Sequence, residues 1–218
     1  MWLGAVLNMP WRLRTEILRL LALPIIRSRF LLNGVSWGRG WRIFGMPIIQ
    51  RHSGSRILLG DGLELRSWKR SNPLVPNHAV VFSTRTAEAV ICVGNHCGFT
   101  GATLVAAKRI EIGNRVMLGA NVTITDTDFH PLDALERIAY PSAAKSEPVK
   151  IGDDAFVGMN SVILKGVTIG RGAVLGANSV VTVDVPADVI AAGNPARVIR
   201  HVNSVQSVHD NTGAVIKK

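Results

Sequence analysis

Residues 151–188 read IGDDAFVGMNSVILKGVTIGRGAVLGANSVVTVDVPAD, and an aliphatic side chain returns at every sixth place, at Ile151, Val157, Ile163, Ile169, Leu175 and Val181. Gly152, Gly158, Gly170 and Gly176 follow four of these, and small or β-branched residues recur four places on, at Ala155, Ser161, Val167, Ala173, Ser179 and Val185. With about half of all positions apolar, such a column arises by chance roughly one time in sixty. A period of six is neither that of an α-helix nor that of a lone strand, so each hexapeptide reads as a short strand plus a corner. Three of them close one turn of a triangular coil of about 18 residues. Successive coils hydrogen-bond at about 4.8 Å, with the aliphatic column pointing inward and Gly or Asn at the corners. Stacking buries a face that no single repeat could bury alone.

The same phase extends upstream through Ile112, Leu118 and Ile124, with Gly113 and Gly119. It continues less regularly at Val93 and Phe99, and weakly near Leu59-Gly60-Asp61. Residues 66–88, with Pro73 and Pro76, lack the period. Residues 131–148, rich in Pro, Ala and charge, interrupt it and read as one extruded loop. The expected organisation is a basic N-terminal region with an amphipathic helix (1–54), an all-β repeat domain (55–200) and a polar tail (201–218), frayed or lying on a neighbour.

A chain of 218 residues that is 47% apolar can bury a full core, which excludes a disordered protein. Aromatics are 6% and Gly numbers 21, a balance suited to short strands and tight turns. The net charge of +10 is uneven: residues 1–70 hold 12 Lys/Arg against 3 Asp/Glu. With Trp2, Trp11, Trp37 and Trp41 in it, this basic region suits either an anionic membrane surface or a solvated basic face. No nucleic-acid motif accompanies it, so no nucleic-acid partner is expected.

Leu13, Ile17, Leu20 and Leu21 form an apolar stripe between Pro10 and Pro24, with Arg12, Glu16 and Arg19 as a polar row. The resulting helix either packs its stripe on the domain or dips it into lipid headgroups, giving peripheral membrane contact through residues 1–30. The unbroken apolar run Leu20–Ile26 is too short to span a bilayer. Basic residues inside the apolar stretch argue against a signal peptide. Two cysteines, Cys92 and Cys97, fit a reducing compartment, and with His96 they lack a fourth ligand, so no metal is expected. The expected location is cytoplasmic, or peripheral at the inner face of the membrane.

Counting in sixes from Ile112, Leu118 and Ile124 lands on His130, where an aliphatic residue is due. A neutral imidazole at the lip of an interrupted coil, beside a loop that can wall a cleft, suits a general base.

The pattern [Ile/Leu/Val]-Gly-x-x-[small or Val]-x resembles that of the hexapeptide-repeat acyltransferases. The resemblance implies a left-handed parallel β-helix, against the right-handed rule for ordinary parallel crossovers, and a homotrimer with coenzyme A in the groove between adjacent prisms. The segment Asp126-Thr127-Asp128-Phe129-His130-Pro131-Leu132-Asp133 is similar to the catalytic segment of the sugar O-acetyltransferases in that family. By that likeness His130 takes the proton of an acceptor hydroxyl, which attacks acetyl-CoA directly, without a covalent enzyme intermediate. Asp126 and Asp128 either orient the imidazole and bind acceptor hydroxyls or hold turn backbone. Ile190–Ile199, with Gly193-Asn194-Pro195-Ala196-Arg197, is similar to the family's terminating segment. Position by position, Ala177 and Thr182 match pantetheine contacts, Phe156 an aromatic near the thioester, and Arg197 and Arg200 basic residues near the phosphates.

The chain departs from that pattern at Val183, where several relatives carry Lys, and around Cys97–Gly101, where the acceptor-binding Asn and Tyr of galactoside enzymes find no match. The expected activity is acetyl transfer to a saccharide hydroxyl in surface-polysaccharide synthesis, on a nucleotide sugar or a lipid-linked saccharide. Two other readings stand beside it. A γ-type carbonic anhydrase needs three His around a metal, whereas only His96 and His130 lie in the repeats. A scaffold that has lost its chemistry would be indifferent to substitution of His130.

Overall fold

The computed structural model describes residues 9–140, 143–202, 208–209 and 215–216. Short strands wind into three faces of a triangular prism. Face A carries, in order, β1 (Arg42–Phe44), β4 (Glu64–Arg66), β7 (Gly98–Thr100), β10 (Met117–Leu118), β13 (Phe156–Val157), β16 (Val174–Leu175), β18 (Val189–Gly193) and β19 (Ala196–His201). Face B carries β2 (Ile48–Gln50), β5 (Val81–Thr84), β8 (Thr103–Ala106), β11 (Thr123–Thr125), β14 (Val162–Ile163) and β17 (Val180–Val181). Face C carries β3 (Arg56–Leu59), β6 (Val90–Val93), β9 (Arg109–Ile112), β12 (Val149–Ile151) and β15 (Thr168–Ile169). Pairing is parallel throughout the prism until β19 folds back antiparallel on β18 and closes the C-terminal end.

Register stacks the aliphatic column on itself. Leu118, Val157 and Leu175 are partners across face A, Ile124, Ile163 and Val181 across face B, and Ile112, Ile151 and Ile169 across face C. All are buried. At the A–B corner Asn121, Asn160 and Asn178 adopt positive φ, a conformation Asn tolerates better than most residues. Their amides form a ladder, Asn121 to Asn160 at 3.1 Å and Asn160 to Asn178 at 3.3 Å. The glycine column has a steric origin, since a Cβ on Gly158 would stand 2.5 Å from the Ala177 nitrogen of the next coil.

Four features differ from the sequence reading. The prism begins at Arg42, before the boundary at 55, because Ile43 and Ile49 keep the six-residue spacing but Ile57 comes eight residues later, so the first coil is hard to recognise. Residues 81–84 are not aperiodic loop: β5 joins face B, leaving 67–80 as a second insertion, at the A–B corner. Asn77 donates to Asn121 at 2.8 Å, and Gly101 leaves room for Pro76, whose Cβ would meet an added Cβ at 2.6 Å.

The N-terminal helix α1 (Pro10–Leu32) runs through Pro24 instead of stopping there. Its C-terminal half buries Ile26 and Phe30 on the open end of the prism, where Phe30 meets Trp37 and Trp41 at ring distances of 5.7 and 5.3 Å. Burial of two such side chains, about 1.5–3 kcal/mol each, offsets the roughly 3 kcal/mol that an internal proline costs.

The fourth difference is orientation. The stripe Leu13, Ile17, Leu20 and Leu21 faces solvent, and of the polar row Glu16 and Arg19 turn inward while Arg12 stays exposed. Glu16 bridges Arg19 at 2.7 Å and Arg42 at 2.5 Å, while Arg19, Arg42 and Arg66 lie over the buried ring of Phe44. Burial alone would raise the Glu16 carboxyl, but the two arginines outweigh it and hold it below the usual range. Among the described residues no helix is long and apolar enough to cross a membrane. The tail beyond 202, apart from a backbone pairing of Val208–His209 with Val215–Ile216, lies outside the described residues, as does Trp2.

Candidate active site

The chain leaves the prism after β11, at the B–C corner, through a neck of two antiparallel limbs. Thr127 bridges Ser146, the Asp128 amide donates to the Lys145 carbonyl at 3.1 Å, and the Glu147 amide donates to the Asp126 carbonyl at 2.8 Å. Asp126 anchors this neck. Its fully buried carboxylate accepts from the backbone amides of Ala107, Lys108 and Arg109 at 2.6, 2.7 and 2.6 Å, tying the loop to the turn between β8 and β9. With three of its acceptor sites taken by backbone amides, Asp126 holds turn backbone, the second of the two readings given for it.

Asp128 is placed differently. One oxygen pairs with Lys165 on the next coil at 3.0 Å, and the other, Oδ2, is buried and has no hydrogen-bond partner among the described residues. An unpaired buried carboxylate oxygen is costly, and this one lies two residues from His130. Phe129 between them has φ +64, a strained conformation for an aromatic residue. His130 follows, exposed and making no hydrogen bond among the described residues. Beside the neck opens a cleft of about 800 Å³, lined by Arg85, Lys108, Thr127, Phe129, Lys145 and Glu147.

Past Pro131 the loop folds into α2 (Ala134–Ala139), whose first turn is capped by Asp133 accepting from Leu135 and Glu136 at 2.9 Å. Arg137 donates to the carbonyls of Pro131 and Leu132 at 3.0 and 3.1 Å. The loop leaves Leu132, Leu135, Ile138 and Tyr140 exposed.

A second cavity, of about 510 Å³, runs along face A and the A–B corner, and Phe156 and Ala177 both line it. Arg197 and Arg200 lie on β19 of the same face: Phe156 pairs with Val174, Val174 with Ile190, and Ile190 with Arg200. Three strand spacings amount to about 14 Å. Thr182 is not with them; it follows β17, exposed, on the B–C side. His130 and the Phe156–Ala177 groove therefore stand on opposite sides of one prism.

Sequence reasoning missed the lower half of this groove, formed by Glu64, Arg66, Asn72, Thr100 and Met117. At its centre Gly98 pairs with Glu64 and Met117, and a Cβ there would meet nothing within 4 Å. The signal was a glycine in an outward strand position with no crowding to require it.

Cys97 is a core residue: burial pushes its thiol up to about 11, and it donates to the Gly113 carbonyl at 3.1 Å. Among the described residues no group of three or more His, Cys, Asp or Glu is placed to hold a metal ion. His96 sits at the C–A corner and His130 at the B–C corner, so the two face no common site.

A family model described as the hexapeptide repeat of succinyl-transferase matches residues 148–183. The galactoside O-acetyltransferase of Escherichia coli strain K12 is 41% identical over 101 residues, 46% of this chain and 48% of that protein. The chain spans about half the length of the curated relatives it matches. Among solved structures, a galactoside acetyltransferase in complex with coenzyme A superposes with a TM-score of 0.52 at 26% identity, over 84% of this chain and 83% of that one. A hexapeptide-repeat-containing acetyltransferase of Vibrio cholerae gives 0.50 at 26% identity, over 88% and 94%. A chain that winds this repeat into such a prism belongs to the left-handed β-helix family of hexapeptide-repeat acyltransferases.

Proposed function

We propose that the protein transfers an acetyl group from acetyl-CoA to a saccharide hydroxyl, with His130 as general base. The imidazole takes the hydroxyl proton as the oxygen adds to the thioester carbonyl. The C–S bond then breaks, and the imidazolium returns that proton to the departing thiolate, so no covalent enzyme intermediate forms. Asp128 Oδ2 accepts from the other ring N–H and holds the imidazole in the productive tautomer. One observation carries the reading: a free, exposed imidazole on a clasped neck, two residues from a buried carboxylate oxygen that lacks a donor.

The donor lies in the face-A groove, its thioester end beside Phe156 and its arm over Ala177, with Arg197 and Arg200 at the phosphates. A distance of about 14 Å from Phe156 to Arg200 suits an extended pantetheine arm. Because His130 and the groove stand on opposite sides of one prism, a complete site needs two copies, and a homotrimer provides three such sites. The exposed Leu132, Leu135, Ile138 and Tyr140 are the loop's contacts with the neighbouring copy. Thr182, on the His130 side, touches the arm held in the neighbour's groove. The donor pool is cytoplasmic, and the products are O-acetylated saccharides of surface-polysaccharide synthesis.

The test is thiol release from acetyl-CoA, with and without nucleotide-sugar or lipid-linked saccharide fractions. Acceptor-dependent release is expected, and the active fraction names the acceptor class. No coenzyme A binding and no release with any fraction would favour a scaffold that keeps the prism without its chemistry.

A further inference from the structure

We propose that the outer face of α1 docks in the plane of an anionic lipid bilayer. At 3.6 residues per turn, Leu13, Ile17, Leu20, Leu21, Pro24, Ile25, Leu31 and Leu32 fall on the side away from the prism. All are exposed, Leu21 by 70% and Leu32 by 87%. The inward side is already occupied: Glu16 and Arg19 lie against Arg42 and Phe44, and Ile26 and Phe30 against the prism end. The exposed apolar face is therefore a surplus that the fold does not use.

Its border is cationic. Arg27 flanks one edge and Arg29 the other, Arg14 stands near the N-terminal end, and all three are exposed. Lys69 and Arg70 of the 67–80 insertion extend the border, lining with Trp11, Arg14, Leu18 and Trp68 a cleft of about 730 Å³. Glu16 is the only acidic residue among the first 60 and it is turned inward, so among the described residues of α1 no carboxylate faces outward to oppose an anion. An apolar centre with an arginine and tryptophan border complements acyl chains below phosphate headgroups. A nucleic acid would leave the leucines without a partner. A protein partner would have to bring both an apolar patch and a ring of acidic side chains, and the acidic residues of this chain near α1, Asp61 and Glu64, are already paired with Arg39 and Arg42.

Docking has a consequence that rests on the transferase reading. A cavity of about 500 Å³ lined by Trp11, Arg12, Glu16 and Arg42 shares Arg66 and Asn72 with the face-A groove. With α1 on the bilayer, the groove opens at headgroup level, where a saccharide carried on a lipid phosphate presents its hydroxyls.

The docking itself is tested without turnover. Full-length protein is sedimented with phosphatidylcholine vesicles that contain or lack a quarter of phosphatidylglycerol, alongside Leu21→Glu/Ile25→Glu and Arg27→Glu/Arg29→Glu. Wild type should partition at least about tenfold better onto the anionic vesicles, less so at high salt, and each double variant should lose about tenfold. Unchanged Tm and gel-filtration volume establish that the substitutions alter only the surface. Equal partition onto both vesicle types, or binding that survives the leucine and isoleucine substitutions, overturns the proposal. So does a change in oligomeric state in the Leu21→Glu/Ile25→Glu variant, which would assign the face to a second copy. Thiol release by the same samples in vesicle-free buffer reads the transferase chemistry separately.

Discussion

At the scale of single residues, two aspartates two positions apart serve different ends. Asp126 spends its carboxylate on three backbone amides of the preceding coil, whereas Asp128 keeps one oxygen that has no donor among the described residues. Asp126→Ala should therefore destabilise by about 3 kcal/mol or more, lowering Tm by about 6–12 °C; an unchanged Tm with lost turnover would restore it as a chemical group. Gly98 makes the opposite prediction. Since an added Cβ meets nothing within 4 Å, Gly98→Leu should fold with a Tm within about 2 °C of wild type and lose at least about tenfold in kcat/KM by filling the groove. Normal kinetics in that variant would move the donor or acceptor elsewhere. His130 stood out in the sequence as a candidate because it takes the place of an aliphatic residue in a column of sixes. For Asp126 the sequence left two roles open, because its partners, Ala107 to Arg109, lie in another coil with which it shares no periodic position.

At the scale of elements, the hexapeptide period specifies strands and corners wherever coils are uniform, and it fades where they are not. The first coil escaped notice because the Ile49 to Ile57 spacing is eight and because Phe44, an outward residue, is buried under arginines. For α1, periodicity showed an apolar stripe but not its direction. The packing face is fixed by Phe30 against Trp37 and Trp41 and by Glu16 between two arginines, contacts made with residues distant in sequence. Phe30→Ala should cost about 3–5 kcal/mol and red-shift tryptophan emission as Trp37 and Trp41 become wet; a silent spectrum would mean that α1 is held by its polar row alone.

At the scale of the whole molecule, a single prism keeps its candidate base and its groove apart, so the proposed site requires a second copy. Mixed trimers of His130→Ala and Gly98→Leu should regain activity that neither variant has alone, with about a quarter of the sites pairing an intact imidazole and an intact groove under random exchange. Hybrids no more active than their parents would place the whole site within one chain. The central claim, that His130 performs the proton transfer, is tested most directly by single-turnover thiol release from acetyl-CoA with saturating acceptor, comparing wild type with His130→Ala alongside the Kd for coenzyme A. The account predicts a rate lower by about 10² or more with Kd unchanged within about twofold; a variant that turns over at the wild-type rate would contradict it.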